Sequence, residues 1–139
     1  MARFNCSGLD EFALSMQEIE EIPEEVKGEM LSAGADVAIS AMKQNIAALG
    51  VVDSHQLMNS LTKKKKKGKN GDLYYVVAPQ GKRSDGERNG TVGYVNEFGA
   101  PHRGIRPRPW MQTALYESAD AIVAAEFAVY DKWLKSKNL

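Results

Sequence analysis

Residues 94–115, YVNEFGAPHRGIRPRPWMQTAL, decide how the last third of the chain folds, because they join an apolar run to a long periodic segment. The run from Thr91 to Phe98 predicts a strand, and a loop carrying three arginines and three prolines follows it. Pro109 predicts the start of a helix that extends to about residue 136. Its apolar stripe consists of Met111, Leu115, Ala119, Val123, Phe127, Tyr130 and Leu134.

A basic hairpin over residues 62–79 is predicted before this stretch. Thr62 to Lys67 is assigned to a strand by context, and Leu73 to Pro79 by its β-branched and aromatic residues. Asn70-Gly71 between them is a strong hairpin signal. Residues 80–90 are polar and rich in glycine, so we expect a mobile loop.

The N-terminal half predicts helices. Pro23 suits a first helical turn, and a long helix with one alanine-rich apolar face follows it to Gly50. That face consists of Leu31, Ala35, Ala38, Met42, Ile46 and Leu49. Asp53 or Ser54 can cap a short helical segment in which Leu57 and Leu61 face inward.

Two shorter elements are expected before residue 22. Residues 4–8 are compatible with a strand, and Asp10 can cap a helix over residues 11–20 with Phe12, Met16 and Ile19 on one side. We therefore expect a single α+β domain over residues 1–139. In it, a small antiparallel β-meander packs against two long α-helices, one N-terminal and one C-terminal.

Composition argues against several protein classes. A chain of 139 residues with 43% hydrophobic residues suits one domain with one core. Cys6 is the only cysteine, which excludes an intramolecular disulfide and argues against a cysteine-based zinc site. No signal-peptide pattern opens the sequence, and no apolar run approaches the ~20 residues that span a bilayer. We expect a soluble protein made in the cytoplasm.

Charge is balanced overall but unevenly distributed. Residues 1–61 carry three basic and ten acidic side chains, residues 62–108 carry twelve and four, and residues 109–139 carry three and four. An acidic N-terminal half and a basic middle can complement each other within one molecule or between neighbouring copies. The sequence leaves both arrangements open, and an oligomer is a natural use of such polarity.

Catalytic and metal-binding patterns are poorly supported. His55 and His102 stand alone, with no acidic residue at helical spacing, and no metalloprotease, serine-hydrolase or P-loop motif is present. Several carboxylates before and at the start of the long N-terminal helix suit a solvated helix start better than a cation site; they are Glu18, Glu20, Glu21, Glu24 and Glu25. We expect no enzyme activity, no cofactor and no metal.

The lysine run of the hairpin has two interpretations. In a strand its side chains alternate between the two faces, and neither face can be buried without partners for the ammonium groups. The lysines either protect an exposed sheet edge or contact nucleic-acid phosphates without reading sequence. No aromatic residue is interleaved among them, which argues against base stacking. The possible DNA-facing residues are Lys63, Lys64, Lys65, Lys66, Lys67 and Lys69.

The sequence of the last third of the chain resembles that of the tailed-bacteriophage neck and minor tail proteins, also called the tail-completion or head–tail joining family. Its members carry an aromatic strand that ends in Glu-Phe-Gly, a variable loop, and an Arg/Pro-Pro-aromatic start of a long helix. The matching positions are Tyr94, Val95, Glu97, Phe98, Gly99, Arg106, Pro107, Arg108, Pro109, Trp110 and Met111.

Two further segments extend the resemblance over nearly the whole chain. Residues 8–16, GLDEFALSM, are similar to the family's glycine followed by a short amphipathic helix. Residues 54–61, SHQLMNSL, resemble its Gly-x-Leu-x-x-Ser-Ile segment, with Ser54 or His55 in place of the glycine. Ala100 stands where family members often have threonine.

The resemblance implies a structural virion protein without catalytic activity. Such proteins form oligomeric rings at the neck, where the capsid portal complex meets the tail and DNA passes through the lumen. Their partners would be copies of themselves, other neck, head-completion and tail proteins, and the packaged DNA. A tail-terminator ring and a small nucleic-acid-binding module that uses the lysine hairpin are the alternatives.

In this role the loop after the predicted third strand would be a subunit joint. Prolines lower the cost of ordering it, and arginines offer bidentate donors to carboxylates of a neighbour. Glu97 is a candidate partner for them. The expected interface residues are Glu97, Phe98, Gly99, Arg103, Arg106, Arg108 and Trp110.

Overall fold

The computed structural model describes residues 22–50 and 54–137, and it confirms the predicted α+β class. Along the chain lie α1 (Glu24–Ala48), α2 (Ser54–Ser60), β1 (Leu61–Lys67), β2 (Leu73–Pro79), α3 (Asn89–Phe98), a 3₁₀ turn (Pro101–Arg103) and α4 (Trp110–Ser136). Both predicted long helices and both strands of the predicted hairpin are present, and β2 has the bounds predicted from its composition.

The two long helices pack against each other in antiparallel fashion. Asn45, near the end of α1, donates from Nδ2 to the carbonyl of Trp110 at the start of α4, at 3.4 Å. Further along, a Cβ placed on Gly34 of α1 would lie 2.6 Å from the Glu126 carboxylate of α4 and 3.1 Å from Ile122. A side chain at position 34 would therefore require the Glu126 side chain to move and Ile122 to shift slightly.

The hydrophobic core lies where α1, α2 and the start of α4 meet. Its buried residues are Ala38, Met42, Ile46, Leu57, Leu61, Trp110 and Ala114. The predicted inward orientation of Leu57 and Leu61 is confirmed. Of the predicted apolar face of α1, Ala35, Ala38, Met42 and Ile46 are buried and Leu31 is half-buried. Leu49, at the end of that face, is exposed.

The hairpin closes through the predicted Asn-Gly turn. β1 and β2 pair antiparallel from Leu61–Pro79 to Lys67–Leu73. The Gly68 N–H donates to the Asp72 carbonyl at 2.8 Å, and Gly71 takes φ +84°, which favours glycine. In the polar loop that follows, Lys82 and Arg88 form an isolated antiparallel bridge.

The predicted third strand is wrong, because residues 89–98 form helix α3. Its buried residues Asn89, Gly93 and Glu97 recur every four positions, which places them on one helical face. Asn89 donates from Nδ2 to the Gln80 carbonyl at 2.9 Å. Gly93 lets Trp110 and Pro79 approach within 3.0 and 3.3 Å of the position a Cβ would take. These tertiary contacts override the strand preference of Val92, Tyr94 and Val95, and the expected meander reduces to a two-stranded hairpin.

The predicted apolar stripe of α4 is also displaced from the core. The residues of α4 that are buried are Trp110, Ala114, Ser118 and Tyr130. Two of these four, Ala114 and Ser118, have small side chains, which permit a close approach to α1. Most of the larger side chains of the stripe are left half-buried or exposed.

Several predictions fall outside the described residues: the strand over residues 4–8, the helix over 11–20, the state of Cys6 and the role of Asp53. None of the helices that are described combines the length and the apolar composition needed to cross a bilayer.

Candidate subunit interface

Glu97 is an internal helix cap. Its side chain is buried, with 4% of its surface exposed. Its two carboxylate oxygens accept the backbone N–H groups of Met111 at 2.8 Å and Gln112 at 3.0 Å. These N–H groups belong to the first turn of α4, where no intrahelical acceptor is available and negative charge is favoured. Glu97 therefore fixes the end of α3 to the start of α4 and is not available to pair with arginines of a neighbour.

Gly99 is required by the turn that follows. It takes φ +74° and ψ 178°, a conformation that is essentially restricted to glycine. A Cβ there would lie 2.8 Å from both the Ile105 carbonyl oxygen and the Pro107 nitrogen. The glycine of the Glu-Phe-Gly motif thus serves the fold of its own chain.

Backbone bonds close the loop between α3 and α4. Ala100 and Ile105 exchange two N–H···O bonds, at 2.9 and 3.1 Å, around the 3₁₀ turn. The Arg108 N–H donates to the Asn96 carbonyl at 2.5 Å, which ties the end of the loop back to α3. These hydrogen bonds hold the backbone of the loop in place, in agreement with its proline content.

Trp110 is buried and is likewise not available to a partner. Its Nε1 donates to the Gly93 carbonyl of α3 at 3.0 Å. The indole therefore packs the start of its own helix. The interface role of Glu97, Gly99 and Trp110 stays a prediction, and the contacts that the structure describes for all three lie within the chain.

Arg108 is also occupied, although it is exposed. Its Nη1 donates to the Gly50 carbonyl at 2.9 Å, just beyond the end of α1. A cation at this end of a helix is favoured by the helix dipole. Arg108 thus links the loop to α1.

Two aromatic rings of α3 and two arginines of the loop that follows it are exposed, and they are here called the joint patch: Tyr94, Phe98, Arg103 and Arg106. Tyr94 is 65% exposed and Phe98 55%, and their ring centroids lie 4.8 Å apart on α3. Arg103 and Arg106 are exposed, and neither guanidinium has a hydrogen bond or ion pair in the part of the chain that the structure describes. Tyr94 was not among the predicted interface residues. Its spacing of four from Phe98 points to a shared face only once the segment is known to be helical.

The lysine run is divided between two environments. Lys63 donates from Nζ to Ser32 Oγ at 2.6 Å and to Asp36 Oδ1 at 2.7 Å. Lys67 pairs with Glu24 at 2.5 Å, and this hydrogen bond and the ammonium charge lower the pKa of Glu24. Lys65 lies on the same face, with Nζ 3.2 Å from the position a Cβ of Gly28 would take. Lys63 and Lys67 therefore pair with side chains of α1, and Lys65 lies close to Gly28 of the same helix.

The even-numbered lysines point to the opposite, outer face of the hairpin. Lys64 and Lys66 are exposed there, and Lys69 is exposed in the turn. In the strand register Lys66 lies directly opposite Tyr74, whose ring is also exposed. The register thus adds an aromatic ring to the lysine face, which the linear order of the run did not indicate.

The residues considered for catalysis or metal binding do not form a site among the described residues. His55 and His102 are both exposed. Within residues 22–50 and 54–137, no group of three or more histidine, cysteine, aspartate or glutamate side chains has a geometry that would hold a metal ion. No family model, curated protein or solved structure matched this chain.

Proposed function

We propose that the chain is a structural protein of tailed bacteriophages that forms part of the neck as an oligomeric ring. The ring would join the capsid portal complex to the tail and let DNA pass. A ring at the end of the tail tube belongs to the same proposal. The chain would have no catalytic role, and its partners would be its own copies and other neck, head-completion and tail proteins.

The joint patch is the observation that carries the proposal from the structural side. Tyrosine and arginine are enriched at the centres of protein interfaces and often supply most of the binding energy. Here Tyr94 and Phe98 stand together on one helix, and Arg103 and Arg106 extend from the adjoining loop without partners among the described residues.

Rigidity of the patch supports the same role. The backbone bonds between Ala100 and Ile105 hold the loop, and the Glu97 cap fixes α3 to α4. A surface that is already ordered loses less conformational entropy when a partner binds. In a ring the contact would be heterologous, with the joint patch of one copy meeting a different surface of the next.

Removal and complementation in the phage or prophage that encodes the chain would test this function. Without the chain, full heads and free tails should accumulate separately, and the unaltered chain supplied in trans should restore tailed particles. A variant with Phe98→Ser and Arg106→Ala should melt near the unaltered temperature and fail to restore them. Tyr74→Ser, an exposed aromatic on the hairpin, is the matched control. An unchanged yield of tailed particles after removal of the chain would contradict the proposal.

A second candidate, non-specific nucleic-acid binding, is favoured by the outer face of the hairpin. Lys64, Lys66 and Lys69 offer positive charge to phosphates, and Tyr74 offers a ring for stacking beside Lys66. A single copy should bind weakly, and several copies around one duplex more strongly.

Two matched charge reversals separate binding from folding. Lys64→Glu with Lys66→Glu should leave the melting temperature nearly unchanged and abolish salt-sensitive binding to duplex or single-stranded DNA. Lys63→Glu with Lys67→Glu changes charge equally, yet places glutamates beside Asp36 and Glu24 and should lower the melting temperature. Equal DNA binding by the unaltered chain and the even-numbered variant would remove this candidate.

A further inference from the structure

An open groove, here called the α1 groove, lies between the first turns of α1 and the hairpin. Its volume is about 640 Å³, which is comparable with that of pockets that take a ligand. The helix contributes Glu25, Glu29 and Ala33 to its lining, and the strands contribute Lys65 and Tyr75. Ala33 and Tyr75 are half-buried, so they offer partly exposed apolar surface to a partner.

The charges of the α1 groove are only partly neutralised within the chain. Two of its acidic side chains already pair with Lys63 and Lys67. Glu25 and Glu29 lie one helical turn apart and are exposed, and neither carboxylate has an ion pair or hydrogen bond within the described part of the chain. Of the residues that line the groove, only Lys65 is basic, so the two free carboxylates leave the groove net negative.

The joint patch lies near the opposite end of the same helix. Arg108, in the loop that carries the patch arginines, donates to the Gly50 carbonyl just beyond the end of α1. Glu29 lies about 28 Å along the helix from its last residue, Ala48, at ~1.5 Å rise per residue. This distance is far beyond the reach of one side chain. The free arginines of the patch can therefore meet the free carboxylates of the groove only in another copy.

We infer that the joint patch of one copy binds the α1 groove of the next copy, an inference that rests on the ring proposed above and names the surface that the patch meets. Arg103 and Arg106 pair with the two free carboxylates, because a guanidinium group forms bidentate bonds with a carboxylate. Phe98 packs against the ring of Tyr75. Since the two surfaces differ and lie near opposite ends of α1, the contact is head-to-tail.

The rings and the charges have different roles in this contact. Burial of aromatic area supplies affinity, and salt does not screen it. The pairs between arginine and glutamate determine which surface is accepted, because like charges brought together strongly oppose binding. Reversal of charge should therefore disturb the contact much more than added salt does.

Disulfide trapping between two purified full-length chains tests the contact, with Cys6→Ser in both so that no other thiol is present. The patch chain carries His102→Cys, beside the arginines of the loop, and the groove chain carries Ala33→Cys. Mixed in equal amounts, they should form the disulfide between unlike chains on the order of tenfold faster than the patch chain does with Ala124→Cys, an exposed alanine of α4. Equal rates for the two mixtures would overturn the inference.

Charge exchange then identifies the partner charges. Arg103→Glu with Arg106→Glu in the patch chain should slow the trapping on the order of tenfold, because four carboxylates then face each other. Glu25→Arg with Glu29→Arg in the groove chain should restore the rate. Glu25→Gln with Glu29→Gln, which removes the charges without reversing them, should slow trapping with the unreversed patch chain roughly twofold to fivefold. All four positions are exposed, so each variant should melt near the unaltered temperature.

The matched control is a second pair of exposed carboxylates, Glu117 and Asp120 of α4. Glu117→Arg with Asp120→Arg in the groove chain should not restore trapping with the reversed patch chain. Because purified chains are used, the contact can fail while the neck role stands, and removal of the chain from the phage tests that role separately. An unchanged rate after reversal of the arginines, an unchanged rate in the glutamine variant, or equal restoration by the groove exchange and the α4 control would overturn the inference.

Discussion

Glu97→Gln is the substitution that most directly tests the junction between α3 and α4. In the native chain the two carboxylate oxygens accept one N–H each, from Met111 and Gln112. Glutamine has the same shape but only one amide oxygen, and its NH₂ group is a donor. One helix N–H therefore loses its acceptor and faces another donor in a buried place, while the remaining bond loses its charge.

The expected cost follows from these two changes. A hydrogen bond to a charged group contributes about 1.5–3 kcal/mol, a neutral one about 1 kcal/mol, and a buried N–H without an acceptor costs about 1–3 kcal/mol. Losing one charged bond and weakening the other gives a destabilisation of about 3 kcal/mol. For a domain of this size, that corresponds to a fall in melting temperature of roughly 10 °C.

Thermal and urea unfolding of the full chain would measure the effect. Glu117→Gln, on the exposed surface of α4, makes the same chemical change and should stay within about 0.5 kcal/mol of the unaltered chain. The urea m-value should be unchanged in both variants, since the surface exposed on unfolding is the same. If Glu97→Gln has the same melting temperature and free energy of unfolding as Glu117→Gln, the Glu97 carboxylate does not stabilise the junction between α3 and α4, and the reasoning fails.

Three further substitutions probe the same region and the helix pair. Gly99→Ala should lower the free energy of unfolding by about 3 kcal/mol or more, because of backbone strain and the 2.8 Å approach to the Ile105 carbonyl, and urea unfolding would measure the loss. Gly104→Ala is the control: this glycine also has a positive φ but lies in open space, so the loss should be only about 1–2 kcal/mol. Trp110→Phe should lower stability by about 2 kcal/mol, because the Gly93 carbonyl loses its donor; a melting temperature equal to that of the unaltered chain would contradict the bond. Burial raises the pKa of Glu126, so the folded chain should lose stability as pH rises through that pKa. Glu126→Gln should therefore have a higher melting temperature than the unaltered chain at pH 7, and this difference should disappear at low pH. A difference in melting temperature that is the same at every pH would argue against the burial effect.

The elements that the sequence predicts well are those set by local chemistry. Pro23 and Pro109 each stand immediately before a long helix, and Asn70-Gly71 lies in the hairpin turn. Each of these signals acts through the conformational restriction of a residue or two. The partner element has little influence on it, so the sequence alone is sufficient.

The prediction fails where the partner element decides the structure. Residues 91–98 have the composition of a strand, but a helix brings Gly93 to Trp110 and Glu97 to the start of α4. The Glu-Phe-Gly stretch was expected to contact a neighbouring subunit, yet Glu97 and Gly99 act within the chain. Glu97 accepts the N–H of Met111, which lies 14 residues further along the chain. No helical or strand periodicity in the sequence relates these two positions, so only the fold shows the role of Glu97.

The acidic N-terminal half and the basic middle of the sequence could pair within one molecule or between copies. The ion pairs in the described residues favour pairing within one molecule. Lys63 and Lys67 of the basic middle pair with Asp36 and Glu24 of the acidic half. Such charges are no longer available to attract a second copy, so the proposed ring contact should depend less on opposite charge than the sequence suggested. Under this proposal the joint patch would supply the contact through aromatic area and two arginines. Ring assembly driven in this way should tolerate salt better than an ion-paired interface, because burial of apolar surface is not screened. Under the same proposal, the exposed lysines of the outer hairpin face would make the salt-sensitive contact with DNA, apart from the surface that assembles the ring.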